Sequence, residues 1–318
     1  MSRRVSVAIP LFNEEAGIPE LLRRVRAVLD SLPGGPHEIV TVDDGSSDRT
    51  LSVLEAEAAM EPRLVVVSLS RNFGHQAAFT AALDHTTGDV VVLMDGDLQD
   101  PPEAIPQFLE QHALGFDVVY AQRAERKEAW YLRAAYYLFY RLLDRLSSIR
   151  VPLDSGDFSL LSRRVVDQLR NVPEKNRFLR GLRTWVGFKQ VAVVVKRSER
   201  HAGESKYTFR KLLQLAFDGI FAFSTVPIRA AAMLGLGAMC AAFLFTVYTV
   251  WAKLFMHDDP KGFTALTLLI TFLSGVNLFF VGVIGEYVGR VYEEVKGRPV
   301  YIVGKLVRAP TGSDGKRA

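Results

Sequence analysis

Two aspartates stand one residue apart at Asp95-Gly96-Asp97, directly after the apolar run Val90–Met94. Carboxylates that close repel each other unless a cation lies between them. Oxygen-only ligation suits Mg²⁺ or Mn²⁺, and Mg²⁺ favours one or two carboxylates completed by substrate phosphates. The pair therefore reads as a metal–diphosphate site, set against the plainer reading of an acidic turn after a strand. A short unbroken apolar run is what a strand buried on both faces of a parallel sheet requires. Ligands of open α/β sheets gather outside the carboxyl ends of such strands, where these carboxylates fall.

The same arrangement recurs along the first half of the chain. Val5–Pro10 predicts a strand that runs into Pro10-Leu11-Phe12-Asn13-Glu14-Glu15. Asn13 is a candidate cap for the next helix, whose Ile18, Leu21, Leu22, Val25 and Leu29 keep helical spacing. Glu38–Val42 predicts a second strand, ending in Asp43-Asp44-Gly45-Ser46-Ser47-Asp48. Asp43 or Asp44 could face a base or ribose, whereas Ser47 and Asp48 read better as caps of a helix from Arg49 to Glu61. Leu64–Leu69 predicts a third strand, and a helix of small residues follows it to Leu83. Pro101-Pro102 suits the start of a helix over Pro102–His112. Asp117–Ala121 predicts a fifth strand, ending at Gln122-Arg123. Strands alternating with short helices predict a βαβ-built, mostly parallel α/β sheet. Phe158–Leu161 predicts a further strand, with Asp157 directed to the sheet's open edge, where a functional role is favoured over a plain cap or turn. Val191–Val195 predicts another, before a basic loop over Lys196–Arg210.

The chain has 318 residues, 49% hydrophobic and 23% charged, with formal charge +4. Its mean hydropathy of +0.12 is high for a soluble protein, and the excess is local. Ala230–Trp251 and Phe263–Gly285 contain no charged residue, and each is long enough to span a bilayer. Arg210, Lys211 and Arg229 precede them; Arg290, Lys296, Arg298, Lys305 and Arg308 follow, against two lysines in the loop over Ala252–Gly262. The positive-inside rule then puts the N-terminal domain and the C-terminal tail in the cytoplasm. The alternative is a helical hairpin buried in a soluble domain. Over Glu128–Ser148, Trp130, Tyr131 and Tyr136 interleave with Arg133, Arg141 and Arg145, which suits either a core or a membrane-interface helix. The expected organisation is a domain over 1–207, an amphipathic juxtamembrane helix over 208–228, a two-helix hairpin over 229–286 and a tail over 287–318, disordered from Ala309.

Several classes are excluded. Basic residues cluster where a phosphate or an anionic membrane surface would sit, and no nucleic-acid-binding module is present. Cys240 stands alone, so neither a disulfide framework nor a cysteine zinc site can form. The six histidines lack metalloprotease spacing. Neither Gly-x-Gly-x-x-Gly nor a Walker loop occurs, against NAD enzymes and P-loop NTPases. Val5–Phe12 is too short for a secretory signal.

Six segments in order carry a resemblance: IPLFNEE, VDDGSSD, LSRNFGHQAAFTAAL, LMDGDLQDPPE, SGDFSLLSRRV and RHAGESKYTFRKL. Together they resemble the polyprenyl-phosphate (dolichyl-phosphate-like) glycosyltransferases of family 2, over residues 4–225. The hairpin is similar to that of the bacterial undecaprenyl-phosphate glucosyltransferases. The resemblance implies a GT-A fold in a multi-pass inner-membrane protein, and inverting transfer of one hexose to a polyprenyl phosphate. The donor it implies is a nucleotide sugar, UDP-glucose first. GDP-mannose or an aminoarabinose derivative are alternatives with the same chemistry. Pro10, Phe12, Glu14 and Asp44 would hold the base and ribose. Asp95 and Asp97 would bind the metal, with Gln99 beside the diphosphate or sugar. Asp157 falls where the family places an acidic residue at the reacting centre. Arg123, Arg133, Arg200 and Lys206 fall at basic positions used on phosphates, the last three on the acceptor. The Gln-x-x-Arg-Trp motif of processive synthases is missing; Arg183-Thr184-Trp185 lacks the Gln.

Elementary chemistry agrees with these roles. A cation must neutralise charge on a departing nucleoside diphosphate. The acceptor phosphate has its second pKa at about 6, so at neutral pH it is already largely a dianionic nucleophile and needs cationic clamps more than a strong base. Asp157 is thus expected to orient sugar or metal rather than to accept a proton. A catalytically silent nucleotide-binding membrane scaffold is the reading from another class. Gly235, Gly237 and Ala241 would permit close helix packing, and a homo-oligomer such as a tetramer stays open.

Overall fold

A computed structural model of the chain describes residues 3–123, 155–175, 177–195, 226–255 and 262–308. The expected aromatic helix over 128–148, the basic loop over 196–210, most of the juxtamembrane helix and the end of the tail lie outside the described residues.

Val5–Leu11 (β1) and Glu38–Asp43 (β2) are buried at every position, as strands covered on both faces must be. With Leu64–Leu69 (β3), Val90–Leu93 (β4), Val118–Arg123 (β5), Ser155–Ser162 (β6), Gln190–Val195 (β7) and Val303–Val307 (β8) they form one sheet of order β7-β5-β6-β4-β1-β2-β3-β8. Six strands run one way. β6 and β8 run against their neighbours. Ile18–Ser31 (α1), Thr50–Met60 (α2) and Ile105–Ala113 (α4) cover one face. His75–His85 (α3), Arg163–Asn171 (α5) and Leu179–Trp185 (α6) cover the other. Alternate residues of β1 feed opposite cores: Val7 and Ile9 join Leu21, Leu22 and Phe108, while Ala8 joins Phe79 and Leu83.

The expected strands and helices of the first half appear within a residue or two of their predicted ends. Four findings differ from expectation. Asn13 does not cap α1, whose first turn has no side-chain cap; its Oδ1 accepts the Ser47 N–H at 2.8 Å and so ties the first loop to the second. The helix expected from Pro102 begins as a 3₁₀ turn over Pro102–Ala104. α6 forms where no element was expected. Residues 303–307 are not free tail: β8 pairs antiparallel with β3, and the Tyr301 hydroxyl donates to Asp84 at 2.8 Å.

Val226–Phe255 (α7) and Phe263–Val295 (α8) belong to a separate unit and contain both expected spans. Their apolar side chains face outward: Phe243 is 68% exposed and Leu278 73%. Among the described residues, one stretch, Phe272–Val295, is long and apolar enough to cross a membrane, at mean hydropathy 1.5. Ala231–Phe245 is a shorter apolar stretch.

Candidate active site

The register of the antiparallel pair builds the centre of the site. Val90 pairs with Ser162 and Leu93 with Ser159, so two residues further on Asp95 comes level with Asp157. An antiparallel strand delivers its beginning to the carboxyl ends of its parallel neighbours. That is why Asp157, near the start of β6, meets a carboxylate from the end of β4.

His75 opens α3 and joins the two. Its Nε2 lies 3.2 Å from Asp95 Oδ1 and 3.9 Å from Asp157 Oδ2. The imidazole edge packs on Phe79 at 4.7 Å between centroids, which fixes its direction. Asp157 is 6% exposed and forms a two-point ion pair with Arg180 of α6, at 2.8 and 2.7 Å. Burial alone would push its carboxyl up; the charge and hydrogen bonds of Arg180 hold it below the usual carboxylate range. Burial likewise draws the His75 imidazole down, and contact with Asp95 outweighs this and raises it. Asp95, Asp157, Arg180, Gly156, Gln122 and Asp100 line a common cleft.

The turn after β4 is tightly specified. A Cβ on Gly96 would come within 2.3 Å of Leu11 Cδ2 and 3.1 Å of the Pro10 carbonyl, so any side chain there would have to push the Leu11 side chain away from the turn. Leu98 is buried with φ of 60°, a left-handed conformation that strains a leucine. The Gln99 N–H then folds back onto Asp97 Oδ1 at 3.1 Å.

The second loop organises the third. Asp44 is buried, and its carboxylate accepts the N–H groups of Phe73 at 2.8 Å and Gly74 at 3.0 Å, just before α3. Burial raises its carboxyl despite those donors. Gly45, at φ of 67°, would place a Cβ 2.4 Å from the Arg71 carbonyl carbon. Asp48 Oδ1 accepts the Thr50 N–H at 2.9 Å, but the N-cap of α2 is Arg49 without a side-chain cap and Ser47 donates to Asn13, so neither Ser47 nor Asp48 is the cap that the sequence suggested. Asp43 accepts from the Ser46 N–H and the Ser68 hydroxyl.

Pro10, Phe12, Glu14, Asp44, Asp95, Asp97, Gln99 and Asp157 therefore all lie at the carboxyl edge of the sheet. Phe12 is 46% exposed, an aromatic face open to a planar ligand. Arg123 is the last residue of β5, in register with Val195. Arg133, Arg200 and Lys206 lie outside the described residues. Sequence reasoning missed His75 and Arg180. His75 could have been found from its place, first in a helix after the carboxyl end of β3; Arg180 sits in a segment without a strong pattern.

The donor set fits a divalent cation. His75, Asp95 and Asp157 each offer one ligand atom, and these lie within 4.8 Å of one another. One imidazole nitrogen and two carboxylate oxygens suit Mn²⁺ or Mg²⁺ with water or phosphate completing the shell. Among the described residues this cluster includes Asp95 but not Asp97.

Comparison with known proteins follows the same lines. The glycosyl transferase family 2 profile matches residues 6–170, and the GtrB C-terminal hairpin matches 226–291. An uncharacterized glycosyltransferase, YkcC, of Bacillus subtilis is 42% identical over 308 residues, covering 96% of this chain and 95% of its own. A prophage-derived bactoprenol glucosyl transferase of Shigella flexneri is 41% identical, covering 96% and 99%. An undecaprenyl-phosphate 4-deoxy-4-formamido-L-arabinose transferase of Edwardsiella ictaluri is 36% identical, covering 96% and 94%. With a GT-A-like sheet, acidic residues gathered at its carboxyl edge and relatives matched over nearly their whole length, this chain belongs to the family 2 glycosyltransferases.

Proposed function

We propose that this glycosyltransferase moves one hexose, glucose from UDP-glucose, onto undecaprenyl or another polyprenyl phosphate, with inversion at the anomeric carbon. The observation that carries the reading is the meeting of Asp95, Asp157, His75 and Arg180 at one cleft, in a chain that also carries outward-facing apolar helices. Such helices are unstable in water and suit a lipid acceptor. Relatives named for bactoprenol and undecaprenyl-phosphate transfer support the same acceptor.

Asp95 and Asp97, with His75 beside Asp95, would hold Mg²⁺ or Mn²⁺. When bound, that ion supplies positive charge where the nucleoside diphosphate departs. Phe12 offers its exposed face to the base. Asp44 keeps the start of α3 in place through the Phe73 and Gly74 N–H groups, and it is assigned to the base or ribose of the nucleotide. Asp157 stays ionised in its pair with Arg180, which makes it a weak proton acceptor and a good orienting group. A phosphate dianion needs no deprotonation before it attacks. Arg123, Arg133, Arg200 and Lys206 are assigned to the phosphates. The catalytic domain and the segment after α8 are assigned to the cytoplasmic side of a bacterial inner membrane, where nucleotide sugars are made.

Transfer of radiolabelled sugar into extractable lipid tests the reading. UDP-glucose should label polyprenyl phosphate in the presence of Mg²⁺ or Mn²⁺. Asp97→Asn should abolish labelling, and full activity in that variant would refute the metal assignment. Stronger competition by GDP than by UDP would move the donor to GDP-mannose. No lipid-linked product with any donor would favour a silent nucleotide-binding scaffold.

A further inference from the structure

One turn after Arg180, α6 carries a second buried arginine. Arg183 is 3% exposed, and its guanidinium lies over the Tyr120 ring of β5 at 5.1 Å. Its Nη1 donates weakly to the Gly156 carbonyl at 3.4 Å. Nε and Nη2 are buried with no hydrogen-bond partner. These two nitrogens form one edge of the planar group, the fork that engages carboxylates and phosphates at two points. The same edge serves Arg180 on Asp157 and Arg24 on Glu103. At Arg183 it has no protein acceptor.

Buried donors without acceptors are costly, and a buried cation more so. Burial draws the Arg183 guanidinium down to about 10, with the charge of Asp157 offsetting part of the effect. Asp157 makes its hydrogen bonds to Arg180 and not to Arg183. The contacts with Tyr120 and Gly156 leave the Nε–Nη2 edge unused. An arriving anion would use it, and the place is right. Gly156, whose carbonyl accepts from Nη1, lines the same cleft as Asp157 and Arg180, and Arg183 lies one residue-contact behind that lining.

We infer that the Nε–Nη2 edge of Arg183 is a binding subsite for a phosphoryl oxyanion in the transfer reaction. The inference rests on the reading of this cleft as a sugar–phosphate transferase site. Two participants present that chemistry: the monophosphate of the lipid acceptor and the diphosphate of the donor. Only the fork, not charge alone, satisfies both orphaned donors.

The test uses the full chain in lipid nanodiscs. Arg183→Met keeps the length and removes the charge; Arg183→Lys keeps the charge and removes the fork. Melting temperature is measured without ligand, with UDP and with polyprenyl phosphate, alongside KM for each substrate. Arg183→Met should melt no lower than wild type without ligand, because it removes an unpaired buried charge. It should lose the stabilisation given by one phosphate ligand and raise KM for that substrate about ten- to hundredfold, the worth of a charge-assisted hydrogen bond. Arg183→Lys should recover little of this. Loss confined to polyprenyl phosphate assigns the edge to the acceptor, and loss confined to UDP assigns it to the donor. Retention of both stabilisations and both KM values overturns the inference. If Arg183→Met does not fold, the same readings are taken on Arg183→Lys. Should wild type transfer no sugar while Arg183→Met still loses ligand-induced stabilisation, the subsite stands and the transferase reading falls.

Discussion

Arg180 grips Asp157 side-on, Nε to Oδ1 at 2.8 Å and Nη2 to Oδ2 at 2.7 Å. The carboxylate is buried and the guanidinium is partly open to the cleft. Removing the cation alone would leave a buried negative charge, the costly half of an ion pair. Arg180→Met should therefore destabilise the catalytic unit by about 3 kcal/mol. Adding Asp157→Asn should return much of that stability and none of the transfer activity. Chemical denaturation of the four proteins in a double-mutant cycle measures the coupling.

At the opposite edge of the sheet, Glu38 is 5% exposed. It accepts the Ser6 hydroxyl at 2.5 Å, the Thr87 hydroxyl at 2.8 Å and the Arg4 guanidinium at 3.1 Å. Burial pushes its carboxyl up, and these donors outweigh burial and hold it below its ordinary value. A carboxylate depressed in the folded state contributes stability above its unfolded pKa, about 4.3 for glutamate, and loses it as pH falls through the folded value. Wild type should be stable from neutral pH to about 5 and lose stability below about 4. Glu38→Gln should be less stable at pH 7 and fall less steeply in acid. Unfolding free energies across that range, for both proteins, check the sign.

His75 faces Asp95 at 3.2 Å and stands within reach of Asp157. Under the proposed metal binding it would either ligate the ion or orient the aspartate that does. Both roles predict weaker metal binding without it. His75→Ala should raise the Mn²⁺ concentration needed for half-maximal transfer by about tenfold or more, the usual cost of losing a ligand or its orienting partner. Excess Mn²⁺ should restore most of the rate. Mn²⁺ electron paramagnetic resonance on wild type and variant reads the affinity without relying on turnover. Chelation by EDTA should stop transfer in both.

Much of the site was legible because parallel strands announce themselves. Runs such as Val90–Leu93 are apolar throughout, and whatever follows them lies at the carboxyl edge by construction. That is how Asp44, Asp95 and Asp97 were placed. Asp157 was placed at the right edge without the reason for it, because a strand's direction leaves no mark on its composition. β6 reads the same whether it runs with or against β4. Arg180 and Arg183 were out of reach for another reason. α6 has only seven residues and no run of apolar spacing to reveal it. β8 was hidden by Gly304 and Lys305, ordinary for an edge strand and equally ordinary for a tail. The family resemblance supplied residue roles that spacing alone could not, yet it pointed past His75, whose contact with Asp95 depends on how α3 sits over the sheet.

β8 also constrains how the hairpin can be threaded. Residues up to 195 and residues 303–307 share one sheet, with Val66 paired to Val307 and the Ser70 N–H donating to Ile302 at 2.9 Å. A chain that leaves a sheet and later returns to it crosses a bilayer an even number of times or not at all. α7 and α8 are the two long described helices between those points, so under the proposed membrane hairpin both would cross. A phosphatase reporter that works only outside the cytoplasm should be silent when fused before Val5 and equally silent after Arg308. Inserted between Phe255 and Phe263, it should be active. Terminal fusions that report opposite sides would mean that β8 does not pair with β3 in the membrane-bound protein, and would remove the structural argument for a double crossing.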